Sequence, residues 1–375
     1  MGIDPFVSWG TPSGAESREG SGALAGVRLA VKDVFDVAGE LTGAGHPRWL
    51  ETHEPAVEDA VAVARLRAAG AVLAGKTHTD ELAYSLGGTN QHYGALENPA
   101  APGHVCGGSS SGSAAAVAAG RADLGLGTDT AGSIRVPASY TGLYGFRPTH
   151  ARAPREGIVP LAPTFDVPGL LTRDLALLRE AAGILLDGSG SGTATRLCVP
   201  PDLWADQSPR VGAALAPAIA RLGLPVHRTP VGHDVTDAFA IAQAAQAWSC
   251  HGAWITQERP EFGPGVQARF RRGEGLTREE VTLARKALDE AADRIRVLLD
   301  GGGILVLPTA PGAAPALGRP EDRRLMTLRL TCLAPLSGSP ALSLPAGLLD
   351  GRPLGLSLMA ARGHDEVLFD LAARV

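Results

Sequence analysis

The sequence predicts one large α/β domain, a mixed β-sheet covered by helices on both faces. Three observations lead there. A chain of 375 residues is long enough to bury a sizeable core. Its N-terminal half alternates strand-like and helix-like segments. Its last quarter returns to short, wholly apolar runs of the kind that strands buried on both faces require.

Residues 27–31, Val-Arg-Leu-Ala-Val, have strand character and run straight into Lys32-Asp33. Residues 57–69 carry apolar side chains at 57, 60, 61, 64 and 68, a helical period closed by Gly70 in the C′ position. Residues 71–74 then read as a short buried strand, 113–119 as an Ala-rich helix stopped by Gly120, and 123–128 as a brief strand entering a Gly-rich turn. A helix over 175–186 is followed by the Gly/Ser loop 187–193, which reads as a tether. Residues 194–300 are expected to be mostly helical, with a charged amphipathic helix over 277–299. Strands at 304–307, 341–344 and 354–358 and a helix at 365–375 complete the chain. The expected organisation is therefore one domain over 1–375. Its core comprises about 24–187 and 301–375, and a variable helical region over about 194–300 shapes a pocket.

Composition removes several function classes. With 34 Lys and Arg against 39 Asp and Glu, the net charge of −5 offers no footprint for nucleic acid. The basic groups at 269–272 and 323–324 read as solvated helix faces. No apolar run approaches the roughly 20 residues needed to cross a bilayer, and the polar, Gly- and Ser-rich stretch 1–22 does not read as a signal peptide. The four cysteines lie far apart without a CxxC pair, which suits a reducing cytosol. The expectation is a cytoplasmic globule, monomer or homodimer, with a small-molecule substrate and neither nucleic acid nor membrane as partner.

One motif is misleading. Residues 70–77, Gly-Ala-Val-Leu-Ala-Gly-Lys-Thr, satisfy the phosphate-binding pattern GxxxxGK[ST]. A true phosphate loop follows a strand and opens a helix. Here the variable positions are themselves strand-like and follow a helix, so a helix cap leading into a core strand is the better reading.

The chemistry concentrates in residues 107–137, GGSSSGSAAAVAAGRADLGLGTDTAGSIRVP. Two Ser/Gly-rich turns are separated by an Ala-rich helix and an apolar strand, a pattern no flexible linker needs. Glycines in such turns let backbone N–H groups approach a reacting atom.

This segment resembles the signature of the amidase signature family, approximately GGSSGGS…GTDxGGSIRxP, and Lys32-Asp33 resembles that family's lysine motif. Further likeness lies in Gly75-Lys76-Thr77, Glu81-Leu82-Ala83, Asn98-Pro99, Gly145-Phe146-Arg147-Pro148 and Pro308-Thr309. The resemblance implies Ser133 as nucleophile, Ser109 as relay serine preceded by a cis peptide from Gly108, and Lys32 as base. It implies an oxyanion hole from the backbone N–H groups of Thr130, Ala131, Gly132 and Ser133, support from Ser110 and Arg135, and no cofactor. Asp129 and Arg135 are expected to pair and hold the turn.

The physical logic is coherent beside the family likeness. A serine hydroxyl needs a neighbouring base, and a lysine can serve only when desolvation lowers its pKa. Lys32, ending an apolar strand, is placed for that. Lys76 competes on composition alone. His78, His92 and His104 carry no spacing that supports a Ser-His-Asp triad or a metal site, so no metal is expected.

Ala131 departs from the family's usual glycine and would strain the turn if that position required φ > 0. Other stretches, including 33–37, 45–50, 92–94, 251–255 and 260–265, are similar to plant indole-3-acetamide hydrolases. That likeness implies a small primary amide with an apolar or aromatic acyl group, and the candidate pocket residues are Tyr84, Trp204 and Trp254. A biosynthetic amide, an amidotransferase subunit delivering ammonia to a partner, and an amide-binding member without turnover remain as alternatives.

Overall fold

Ten strands join in one sheet among the described residues, which in this computed structural model are 2–9, 21–318 and 323–375. Most of the polar stretch 1–22 thus lies outside the described residues. In chain order the strands are β1 Arg28–Lys32, β2 Val72–Thr77, β3 Leu124–Thr128, β4 Tyr144–Arg147 and β5 Pro168–Thr172. They continue with β6 Arg196–Cys198, β7 Val226–His227, β8 Gly303–Pro308, β9 Ala341–Leu349 and β10 Arg352–Met359. Their spatial order is β7-β6-β8-β10-β9-β4-β5-β3-β1-β2. The two flanks are parallel and the centre is antiparallel, so the sheet is mixed.

Apolar side chains on successive strand residues point to opposite faces. In β8, Ile304 and Val306 enter one hydrophobic cluster while Leu305 and Leu307 enter another. The first face is covered by α1 (Val61–Ala68), α4 (Leu175–Leu185) and α8 (Asp365–Ala372). On the other face lie α2 (Ser111–Ala118), α3 (Arg135–Thr141) and α7 (Arg278–Leu299). Burial on both faces is why these strands read as continuous apolar runs rather than as alternating ones.

Details differ from the sequence expectation for physical reasons. Helix α1 starts at Val61, because Val57 is 90% exposed and so gives no core contact. Strand β2 runs on to Thr77, so Gly75, Lys76 and Thr77 lie inside a strand and cradle no phosphate. Gly70, at φ +101°, turns the chain from α1 into it. Region 194–300 is mostly helical, with α5 (Thr236–Glu258), α6 (Pro264–Gly275) and α7, but it also supplies strands β6 and β7. Helix α7 opens with a capping box: Thr277 Oγ1 accepts from the Glu280 N–H, and the Glu280 carboxylate accepts from the Thr277 N–H. No helix among the described residues is long and apolar enough to cross a membrane.

Candidate active site

The site forms where β1 and β3 end. These strands pair in parallel, Leu29 with Leu124 and Val31 with Leu126, so Lys32 and Thr128 finish side by side. Chains leaving the carboxyl ends of parallel strands open a crevice there. Lys32 is wholly buried, and its Nζ lies 2.7 Å from both Ser109 Oγ and Thr128 Oγ1. Burial pulls its pKa down from 10.5 to about 7, opposed by the negative charges of Asp80, Asp166 and Asp129.

Ser109 lies in the turn before α2, and the Gly108–Ser109 peptide is cis. The turn is held from outside. Gly108 N–H donates to the Leu86 carbonyl at 2.9 Å, and the Asp80 N–H to the Ser109 carbonyl at 3.4 Å. A Cβ on Gly108 would stand 2.4 Å from Asp80 Oδ2, so only glycine fits. Ser110 joins the two serine turns, its N–H donating to the Ser133 carbonyl and its hydroxyl to the Thr128 carbonyl, each at 3.3 Å.

The turn 130–133 is organised by Asp129. This buried carboxylate accepts from the N–H groups of Gly132 at 2.9 Å, Ile134 at 3.2 Å and Arg135 at 3.4 Å. It also takes the Arg135 guanidinium through two contacts, at 3.0 and 2.9 Å, as the sequence led us to expect. Arg147, buried on β4, adds a contact at 3.2 Å and donates to the Asp129 carbonyl. Burial alone would raise the Asp129 carboxyl, but the two guanidiniums and the N–H donors hold it well below the usual carboxylate range. Burial also lowers Arg147 to about 10, which leaves it charged at neutral pH.

The geometry of this turn settles the conditional reading of Ala131 and revises the expectation for Gly132. Ala131 has negative φ, and the left-handed position belongs to its neighbour Gly132, at φ +119°. Ala131 is therefore unstrained; its methyl group is buried and its carbonyl accepts from Thr331 Oγ1 at 2.5 Å. Gly132, expected among the oxyanion donors, has its N–H committed to Asp129. The N–H groups of Thr130, Ala131 and Ser133 meet no acceptor among the described residues.

Lys76 pairs with Asp33 at 2.9 Å, both fully buried, and also donates to the Leu41 carbonyl and Thr42 Oγ1, which fixes the loop after β1. The expected pocket aromatics pack elsewhere. Tyr84 is buried against Phe270, Trp204 donates to the Val306 carbonyl at 3.0 Å, and Trp254 donates to Thr52 at 3.0 Å while packing on Trp49. His78 packs beside Trp9 and Tyr93, and His104 bonds its own loop at the Pro102 carbonyl. His92 meets His46 and Glu81, with donor atoms within 4.8 Å of one another. Both imidazoles contact the Glu261 carbonyl, at 3.0 and 2.9 Å, and Glu81 accepts from the Gly263 N–H, so the trio pins the 261–263 loop.

Sequence reasoning missed Thr128, Asp166 and Thr331. Thr128 stood next to Asp129 in the signature, which was a usable signal. Asp166 accepts from Thr130 Oγ1 at 2.6 Å and from the N–H groups of Leu161 and Ala162, a role that sequence spacing could not reveal.

A buried, activated lysine joined to a hydroxyl, beside a turn with three free N–H groups, is the equipment of a serine-type acyl hydrolase. Known proteins narrow this. The Amidase family model matches residues 13–206 and 234–369, and the chain belongs to that family, hydrolases of carbon–nitrogen amide bonds. It is 35% identical to Amidase 1 of Arabidopsis thaliana, over 98% of this chain and 96% of that protein. It is likewise 35% identical to 2-amino-5-chloromuconic acid deaminase of Comamonas testosteroni, over 94% of this chain and 81% of that one. A solved structure titled "Crystal structure of amidase" superposes with TM-score 0.86 at 32% identity, covering 94% of this chain and 84% of that chain.

Two predictions follow from the turn. Asp129→Asn removes the charge shared by two buried guanidiniums and should cost about 3–5 kcal/mol in urea unfolding; a loss below 1 kcal/mol would contradict the role given to Asp129. Gly132→Ala forces a side chain onto φ +119° and puts its Cβ 2.9 Å from Thr331. It should cost about 1–3 kcal/mol, whereas Ala131→Gly should cost less than 1 kcal/mol.

Proposed function

We propose that the chain hydrolyses a small carboxamide to a carboxylic acid and ammonia, with Ser133 as nucleophile, Ser109 as relay and Lys32 as base. The observation that carries this reading is the 2.7 Å contact between Ser109 Oγ and an amine whose pKa burial has lowered to about 7. Neutral Lys32 has one lone pair, which accepts the Ser109 proton while an amine N–H donates to Thr128 Oγ1. Ser109 in turn accepts the proton of Ser133 as Ser133 Oγ attacks the amide carbon.

The carbonyl oxygen gains negative charge and is met by the N–H groups of Thr130, Ala131 and Ser133, the donors Asp129 leaves free. Collapse of the tetrahedral intermediate breaks the C–N bond. The proton held by Lys32 returns through Ser109 to the leaving nitrogen, which departs as ammonia. Water then attacks the acyl-enzyme along the same relay, freeing the acid and restoring Ser133. No cofactor enters the scheme. The four cysteines are unpaired, which supports a reducing, cytoplasmic setting.

Identity to Amidase 1 supports a small amide, and indole-3-acetamide is the example that the sequence likeness implies. Tyr84, expected with Trp204 and Trp254 to receive an indole, packs on Phe270, while the two indole N–H groups donate to the Val306 carbonyl and to Thr52.

A fluorophosphonate probe should label the intact protein on Ser133 and fail on Ser133→Ala; an unlabelled intact protein would refute the reading. Lys32→Ala should lower kcat by at least about 10³-fold with unfolding unchanged in cooperativity. Because the base works unprotonated, kcat/KM should fall tenfold per pH unit below about pH 7 and level off above it. A flat profile between pH 5.5 and 8.5 would exclude Lys32 as the base.

A further inference from the structure

The antiparallel pairing of β3 with β5 sets Thr128 opposite Pro168, and past the end of β3 the Asp129 N–H still donates to the Val167 carbonyl at 2.9 Å. One more step in that register puts Thr130 opposite Asp166. There the backbone ladder gives way to side chains, and Thr130 Oγ1 donates to Asp166 Oδ1 at 2.6 Å. The first residue of the 130–133 turn is thus tied to the chain that enters β5. Its N–H, one of the three that meet no acceptor among the described residues, is held in place by that tie.

Asp166 is itself firmly held. Its other carboxylate oxygen accepts from the Leu161 and Ala162 N–H groups, each at 2.9 Å, and its own N–H returns to the Ala162 carbonyl at 2.9 Å. The loop 161–166 therefore closes around the carboxylate and presents it to the turn in one orientation. Its charge is met differently from those of its neighbours. Asp129 pairs with Arg135 and Arg147, and Asp33 with Lys76. Among the described residues Asp166 takes only neutral O–H and N–H donors, which leave its net charge in place. It also shares with Thr128 the wall of a cavity of about 50 Å³, and Thr128 Oγ1 lies 2.7 Å from Lys32 Nζ. The negative charge of Asp166 accordingly raises the Lys32 pKa against the effect of burial. Once Lys32 has taken a proton, a wholly buried ammonium depends on such a fixed negative charge.

Resting on the amidase reading, we propose that Asp166 is a positioning residue for the acylation step: through Thr130 Oγ1 it aims the first N–H of the oxyanion turn, and its charge stabilises the ammonium form of Lys32. The proton still passes from Ser133 to Ser109 and from Ser109 to Lys32; Asp166 neither gives nor takes one.

The rate at which an alkyl fluorophosphonate labels Ser133, followed against pH, tests this without a known substrate. The intact protein should show an acid limb centred at about pH 7. His150 and His251 bond the Pro163 and Pro160 carbonyls of the same loop, and burial lowers both below 6.5, so neither supplies that limb. Burial raises the Cys250 thiol of α5, which stays neutral. Asp80, Asp129, Arg147 and Arg155, the other charges around Lys32 and the small cavity, are present in every variant. In Asp166→Asn the amide oxygen can accept from Leu161 and Ala162 while the amide nitrogen donates to Thr130 Oγ1, so the bonds persist and the charge is lost. This variant should label about tenfold or more slowly on the plateau. Its limb should move at least about half a unit toward lower pH, because losing a negative charge favours the neutral amine. Thr130→Val keeps the charge and cuts the tie: the plateau should fall about tenfold or more with the limb unmoved, and Thr130→Ser should recover most of that loss. Each variant is compared at a temperature where thermal unfolding shows it folded. A carboxylate that merely braced its loop would leave the limb where it is, so an unmoved limb in Asp166→Asn overturns the proposal. Undiminished labelling of Thr130→Val overturns it too. An intact protein that does not label refutes the hydrolase reading and this proposal with it, whereas labelling that the substitutions leave unaltered refutes the proposal alone.

Discussion

The carboxylate of Asp129, buried between Arg135 and Arg147, is the interaction on which the rest of the site depends. It joins four pieces of chain: the end of β3, the turn after it, the first residues of α3, and β4. A lone carboxylate in that position would be unaffordable, because desolvation disfavours the charge. Two guanidiniums and three backbone N–H groups reverse the balance. The same donors that stabilise the ion also fix where the turn can go, so electrostatic compensation and backbone geometry are one constraint.

That constraint sorts the N–H groups of the turn into two sets. Those of Gly132, Ile134 and Arg135 point inward to Asp129. Those of Thr130, Ala131 and Ser133 meet no acceptor among the described residues, and on the proposed mechanism they stabilise the developing oxyanion. The left-handed step at Gly132 is what allows consecutive groups to diverge in this way. It also explains why alanine is accepted at 131 and not one residue later: the requirement for positive φ sits on a single residue.

Much of the fold was legible in the sequence, because strands buried on both faces leave continuous apolar runs and capped helices leave punctuation. Strand β8 and helix α7 are examples, each bounded within a residue of its expectation. Strands β4 and β5 and helix α3 were not legible. Their short segments hold glycine, proline or charge, and tertiary contacts rather than local preference make them regular. In the site, Lys32, Ser109, Asp129 and Arg135 could be read from one contiguous signature and one strand end. Arg147 and Asp166 reach the turn from other elements, and no spacing along the chain announces that. Tyr84, Trp204 and Trp254 were singled out for their flat apolar surface, and the structure places each against other side chains or strands.

Burial lowers the Lys32 pKa, and neighbouring carboxylates limit how far it falls. Desolvation acts on a wholly enclosed amine, while the charges of Asp80, Asp166 and Asp129 pull the other way. Asp129 therefore acts twice: its guanidinium partners hold the turn, and its negative charge raises the lysine. Arg135 and Arg147 offset a charge that the turn cannot do without. On the proposed mechanism the amine accepts a proton from Ser109 and gives it back to a leaving nitrogen.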